Sequence, residues 1–86
     1  MISKHDILGM CDLELDEIDA IAEHEHIPEV AAAALGDYLL HQDHGPERVR
    51  DMIVDDIRAA MGRHDQPHAA SLYVALQHFL VTHPCA

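Results

Sequence analysis

Four prolines, Pro28, Pro46, Pro67 and Pro84, limit what this chain can fold into more than any other feature. Proline has no amide proton to donate, and it pushes the residue before it out of helical geometry, so each one opens or closes an element. The segments between them have helical length, and no stretch alternates polar and apolar residues with period two. The fold class expected is therefore all-α: a compact bundle of about five short helices with no sheet, as one domain over residues 1–86.

The helix signals fall into order along the chain. Ser3-Lys4-His5-Asp6 places an acid three residues after a serine, a capping pattern for a short helix ending near Gly9. Asp12 or Glu14 caps a second helix through Ile18, Ile21 and Ala22, and Asp16 and Glu17 in its first turn suit the positive end of the helix dipole. Pro28 suits the first position of a third helix reaching about Leu40. That segment is apolar nearly all round, which predicts a central position. Gly45-Pro46-Glu47 starts a fourth helix ending near Gly62, and Asp65 with Pro67 starts a fifth that Pro84 stops.

Two of these helices have faces that bear on function. Val49, Met52, Ile53, Ile57 and Ala60 form one apolar stripe on the fourth. The fifth has two: Leu72, Ala75, Leu76 and Phe79 on one side, Val74 and Val81 on the other. A domain this small seldom covers both sides of such a helix by itself. Self-association through Val74, His78 and Val81 is the natural remedy, and a homodimer is expected.

Charge removes several function classes. Sixteen acidic residues against five Lys and Arg leave a formal charge of −11. That surface repels phosphate backbones, so nucleic acid is not an expected partner. No apolar run is long enough to span a bilayer, and no membrane partner is expected. Residues 1–6 lack the apolar stretch and cleavage site of an export signal, so the expected location is cytoplasmic. Cys11 and Cys85 have no metal-binding or redox spacing, and a reducing compartment disfavours a disulfide between them.

The unusual composition lies in nine histidines: His5, His24, His26, His41, His44, His64, His68, His78 and His83. Imidazole and carboxylate together suit Zn or non-haem Fe. The densest cluster is Glu23-His24-Glu25-His26, where Glu23 and His26 have the Glu-x-x-His spacing that di-iron bundles use twice. Only one such pair occurs here, and a second would have to come from another copy. Two carboxylates also fall on apolar stripes: Glu25, seven residues after Ile18, and Asp56, seven after Val49. The metal reading takes Glu23, His24, Glu25, His26 and Asp56 as ligands. Against it stands a plainer reading, with solvated or capping histidines, a Glu25 that reaches water at a fraying corner, and an Asp56 bonded to a helix terminus or Arg50.

Nucleophilic catalysis has little support. Ser3 and Ser71 lack a nucleophile-elbow context, and the glycines are isolated and form no phosphate loop. The first expectation is thus a non-enzymatic, self-associating interaction protein: an adaptor, regulator or accessory subunit with no cofactor and a possible protein partner. A metal-binding helical protein is the alternative, and an acidic decoy that imitates nucleic acid on a basic partner comes third.

The charge count generates a first prediction. Histidine titrates near pH 6.5 and carboxylates near 4, so acidification from pH 8 to 5.5 removes much of the repulsion between copies. Sedimentation at low salt should show more self-association at pH 5.5 than at pH 8. Identical profiles at the two pH values would refute it.

Overall fold

The computed structural model describes residues 13–84. Among these, four helices form: α1 (Leu15–Glu25), α2 (Glu29–Leu40), α3 (Gly45–Gly62) and α4 (Gln66–Thr82). The helix expected near Ser3–Gly9, the possible cap Asp12, Cys11 and Cys85 lie outside the described residues. No described helix is long and apolar enough to cross a membrane.

Local devices fix several of the helix ends. The Glu14 amide, ahead of α1, donates to Glu17 Oε1 at 3.1 Å and so has a partner despite lying before the first turn. At the other end His26 adopts left-handed geometry and the Ile27 amide donates back to the Ala22 carbonyl at 3.1 Å. Pro28 proves to be the residue that caps α2 rather than its first helical residue. For α4 the expected cap is present: Asp65 Oδ1 accepts from the His68 amide at 3.3 Å.

Histidine, not glycine, makes the corners. His26, His44 and His64 all have positive φ, one in each of the three connections between described helices. Left-handed geometry disfavours residues with a Cβ, although histidine adopts it more readily than most.

Packing corrects one expectation. α1 and α3 each touch all three other described helices, whereas α2 and α4 do not touch each other. The apolar α2 is therefore peripheral and not central. Only Ala32, Ala33, Gly36 and Leu39 are buried on it, while Val30, Ala31, Ala34 and Tyr38 are exposed. Alanine is too small to need two covered sides, so an alanine run does not force burial all round. The core is aliphatic apart from one ring, with Ile18, Ile21, Val49, Ile53 and Phe79 fully enclosed.

Two glycines permit close approach. A Cβ on Gly45 would fall on the backbone carbonyl of Leu39, which cannot move without disturbing the end of α2. On Gly36 it would meet only the tips of the Leu13 and Ile21 side chains, which can rotate. Gly45→Ala should thus destabilise by at least about 2 kcal/mol and Gly36→Ala by less than about 1 kcal/mol. Urea unfolding of the two variants checks the order; equal losses would contradict it.

Candidate functional site

The C-terminal end of α1 carries the densest set of titratable groups, and helical rotation parts its neighbours. Glu23 and Glu25 are on opposite sides of His24, with successive residues turned by about 100°. Glu23 faces α4, where its carboxylate is hydrogen-bonded to His68 Nε2. His24 faces α3: its Nε2 lies 3.3 Å from Asp55 Oδ2 and its Nδ1 2.6 Å from Glu25 Oε2. Burial opposes a charge on His24, but the hydrogen bonds to Glu25 and Asp55 outweigh it and raise the imidazole above its ordinary pKa.

Asp56 lies on α3 next to this group and is only 5 % exposed. Its Oδ2 accepts no hydrogen bond from the protein. Arg50, the partner considered for it from the sequence, instead donates to Asp51 at 3.1 Å. Burial pushes the Asp56 carboxyl up to about 7, the charge of Glu23 adds to the rise, and His24 and His68 partly offset it. Asp56, Glu23, His24, His26, Asp55, Ala59 and Arg63 line a cleft of about 260 Å³.

The five residues expected to hold a metal are not drawn to one point. Glu25 and His26 are exposed at the corner, so Glu25 reaches water as the plainer reading had it. Among the described residues a different trio, Glu14, Asp16 and His78, brings its ligand atoms within 4.8 Å of one another. His78 Nδ1 is 3.2 Å from Asp16 Oδ2 and 3.7 Å from Glu14 Oε2, on an open surface.

No family model, curated protein or solved structure matches this chain. Its chemistry therefore has to be read from its own residues.

Sequence reasoning missed His68, Asp55 and Glu17. His68 and Glu23 are distant in sequence, and only the docking of α4 against α1 joins them. Ser71 lies in a second cleft of about 160 Å³ with Glu23 and His68, yet no hydrogen bond links its hydroxyl to the imidazole. That leaves a hydrogen-bonded histidine and glutamate beside a serine hydroxyl to which the imidazole is not bonded.

Glu17 was legible as a first-turn acid, but its burial was not. It is 1 % exposed, between Ile18 and the capping contact to Glu14, with Oε2 unpartnered. Its spacing to Ala20 and Ile21, three and four residues on, is the signal that could have shown it. Burial raises its carboxyl from 4.5 to about 7, and the nearby charges of Asp16 and Glu14 add to the rise.

Because the folded state holds this proton more tightly than the unfolded state, Glu17 favours folding below pH 4.5 and loses that effect as pH rises through 7. Glu17→Gln keeps an oxygen for the Glu14 amide and removes the charge. It should stabilise the protein by about 2 kcal/mol at pH 8 and by almost nothing at pH 4.5. Thermal unfolding of both proteins across that range is the check, and a gain independent of pH would contradict the assignment.

Proposed function

We propose that this chain is a non-enzymatic helical interaction protein, an adaptor, regulator or accessory subunit, that self-associates as a homodimer through the outer face of α4. The observation that carries the reading is an exposed apolar stripe on a helix whose opposite side is already in the core. Val81 is 80 % and Val74 46 % exposed, whereas Leu72, Ala75 and Phe79 of the same helix are buried. Ala70 continues the stripe at helical spacing, and the polar Gln77 lies between the two valines.

The stripe extends sideways onto α3. Tyr73 and Met61 are exposed, and with Ile57, Ala69 and Ala70 they border a mainly apolar groove of about 290 Å³. Large exposed apolar side chains gathered on one surface mark interaction sites more often than isolated ones do. A stripe centred on one helix suits a two-fold contact, in which the same residues meet their own copies.

His78 has a different role from Val74 and Val81. It borders the stripe, but its Nδ1 is turned to the carboxylates of Asp16 and Glu14 on α1. It therefore sets the polar edge of the proposed contact, where a charge does least harm.

Light scattering at micromolar concentration tests the reading. A dimer mass is expected for the native chain, and Val81→Asp should weaken association at least tenfold with little change in unfolding temperature measured on dilute monomer. A monomeric native chain would overturn the homodimer. Association that Val81→Asp leaves intact would overturn this face.

A further inference from the structure

We propose that the cleft between the end of α1 and the last turns of α3 binds an organic cation, a guanidinium or primary ammonium group, with Asp56 as principal acceptor and Glu23 and Asp55 beside it. The cleft is lined by all three carboxylates and measures about 260 Å³. Asp56 is the decisive member. Its side chain lines the cleft with one oxygen buried and without a hydrogen bond, a costly arrangement, and an N–H donor that reaches the carboxyl from the cleft offsets that cost.

The arrangement of the acceptors selects the kind of cation. A single metal ion needs its ligand atoms drawn tightly around one point, and in this cleft no three ligand atoms meet that condition. A guanidinium spreads five N–H donors around a plane and can satisfy carboxylates placed on different sides of it. An ammonium group offers three donors on a slim stem and fits the same mouth. The surrounding charge favours either, since a chain at −11 attracts cations from solution.

His24, whose imidazole holds its proton more tightly than usual, stands on the cleft wall. Arg63 and His26 also line the cleft, both exposed. The site is separate from the valine stripe of α4, so it neither requires nor excludes a homodimer. The cation has two possible sources, a free amine or the basic side chain of a protein partner, and the chemistry at Asp56 is the same for both.

Amide-resolved NMR titration tests the proposal. Three probes are used: agmatine, a short capped peptide with one arginine, and the same peptide with citrulline. Saturable shifts confined to residues 23–26 and 55–63 are expected with at least one guanidinium probe and not with citrulline. Agmatine alone would indicate a free amine as the source, and the arginine peptide a side chain. Asp56→Asn, nearly isosteric and relieved of a buried charge, should weaken binding at least tenfold, whereas Asp16→Asn should leave it unchanged. The proposal is overturned by shifts that sodium chloride reproduces, by equal affinity in Asp56→Asn, or by an effect shared with Asp16→Asn. It is also overturned if neither guanidinium probe binds.

Discussion

Everything in this fold depends on the contact of α1 with α3, the two described helices that touch every other. Their buried residues, Ile18 and Ile21 on one and Val49 and Ile53 on the other, belong to a single aliphatic cluster. With so little aromatic volume, that cluster has to be kept closed by small residues and short connections. Ala20, Ala32, Ala33 and Gly36 let backbones approach, and the left-handed histidines turn the chain sharply enough to bring the helices back. α2 and α4 then occupy separate flanks, and each keeps an outer surface that the core does not need. On α2 this surface is Ala31 and Ala34 with Val30 and Tyr38 spaced apart along the helix. On α4 it carries two valines and a tyrosine, and Met61 of α3 lies exposed beside them.

The same central pair carries the two buried acids, Glu17 on α1 and Asp56 on α3. They differ in what accompanies them. Glu17 receives the amide of Glu14 on one oxygen and so helps define where α1 begins. Asp56 fixes no helix end and lies against a cleft with other carboxylates on its walls. A cost to stability that serves local structure in one case has no such return in the other. That contrast is the physical reason to look for the function of Asp56 in what enters the cleft.

The helix pattern was legible because proline, glycine and capping acids act locally, and their effect survives any tertiary arrangement. Gly45-Pro46 and Asp65 with Pro67 marked their helices closely for that reason. The two-sided character of α4 was also legible, since Val74 and Val81 share a face whatever packs on the other. What could not be read was which side an alanine-rich helix buries, because alanine gives nearly the same pattern at the centre and at the edge. The site failed for a related reason. The cluster Glu23-His24-Glu25-His26 looked like one site because its residues adjoin in sequence, yet neighbours on a helix point in different directions. Of the five residues, Asp56 was recognised by its place on an apolar stripe, while its setting beside Glu23, His24 and His68 depended on how three helices dock.

Histidine supplies cross-helix polar contacts in a chain with few lysines and arginines. Three cross-helix contacts tie α1 to its neighbours: Glu23 to His68, Asp16 to His78, and His24 to Asp55. In each, imidazole takes the place that lysine or arginine more commonly fills. At His24 that charge is conditional. His24 holds its proton more tightly in the folded state than in the unfolded one, so its contribution is complete below about pH 6.5 and fades as pH rises through the raised value. Glu17 and Asp56 act in the same direction, since each is easier to bury when protonated. The acidic surface works this way too, because protonated histidines reduce the repulsion that opposes a compact state. Buried acids, His24 and net charge are separate effects. All three favour the folded chain more at mildly acidic pH than at alkaline pH.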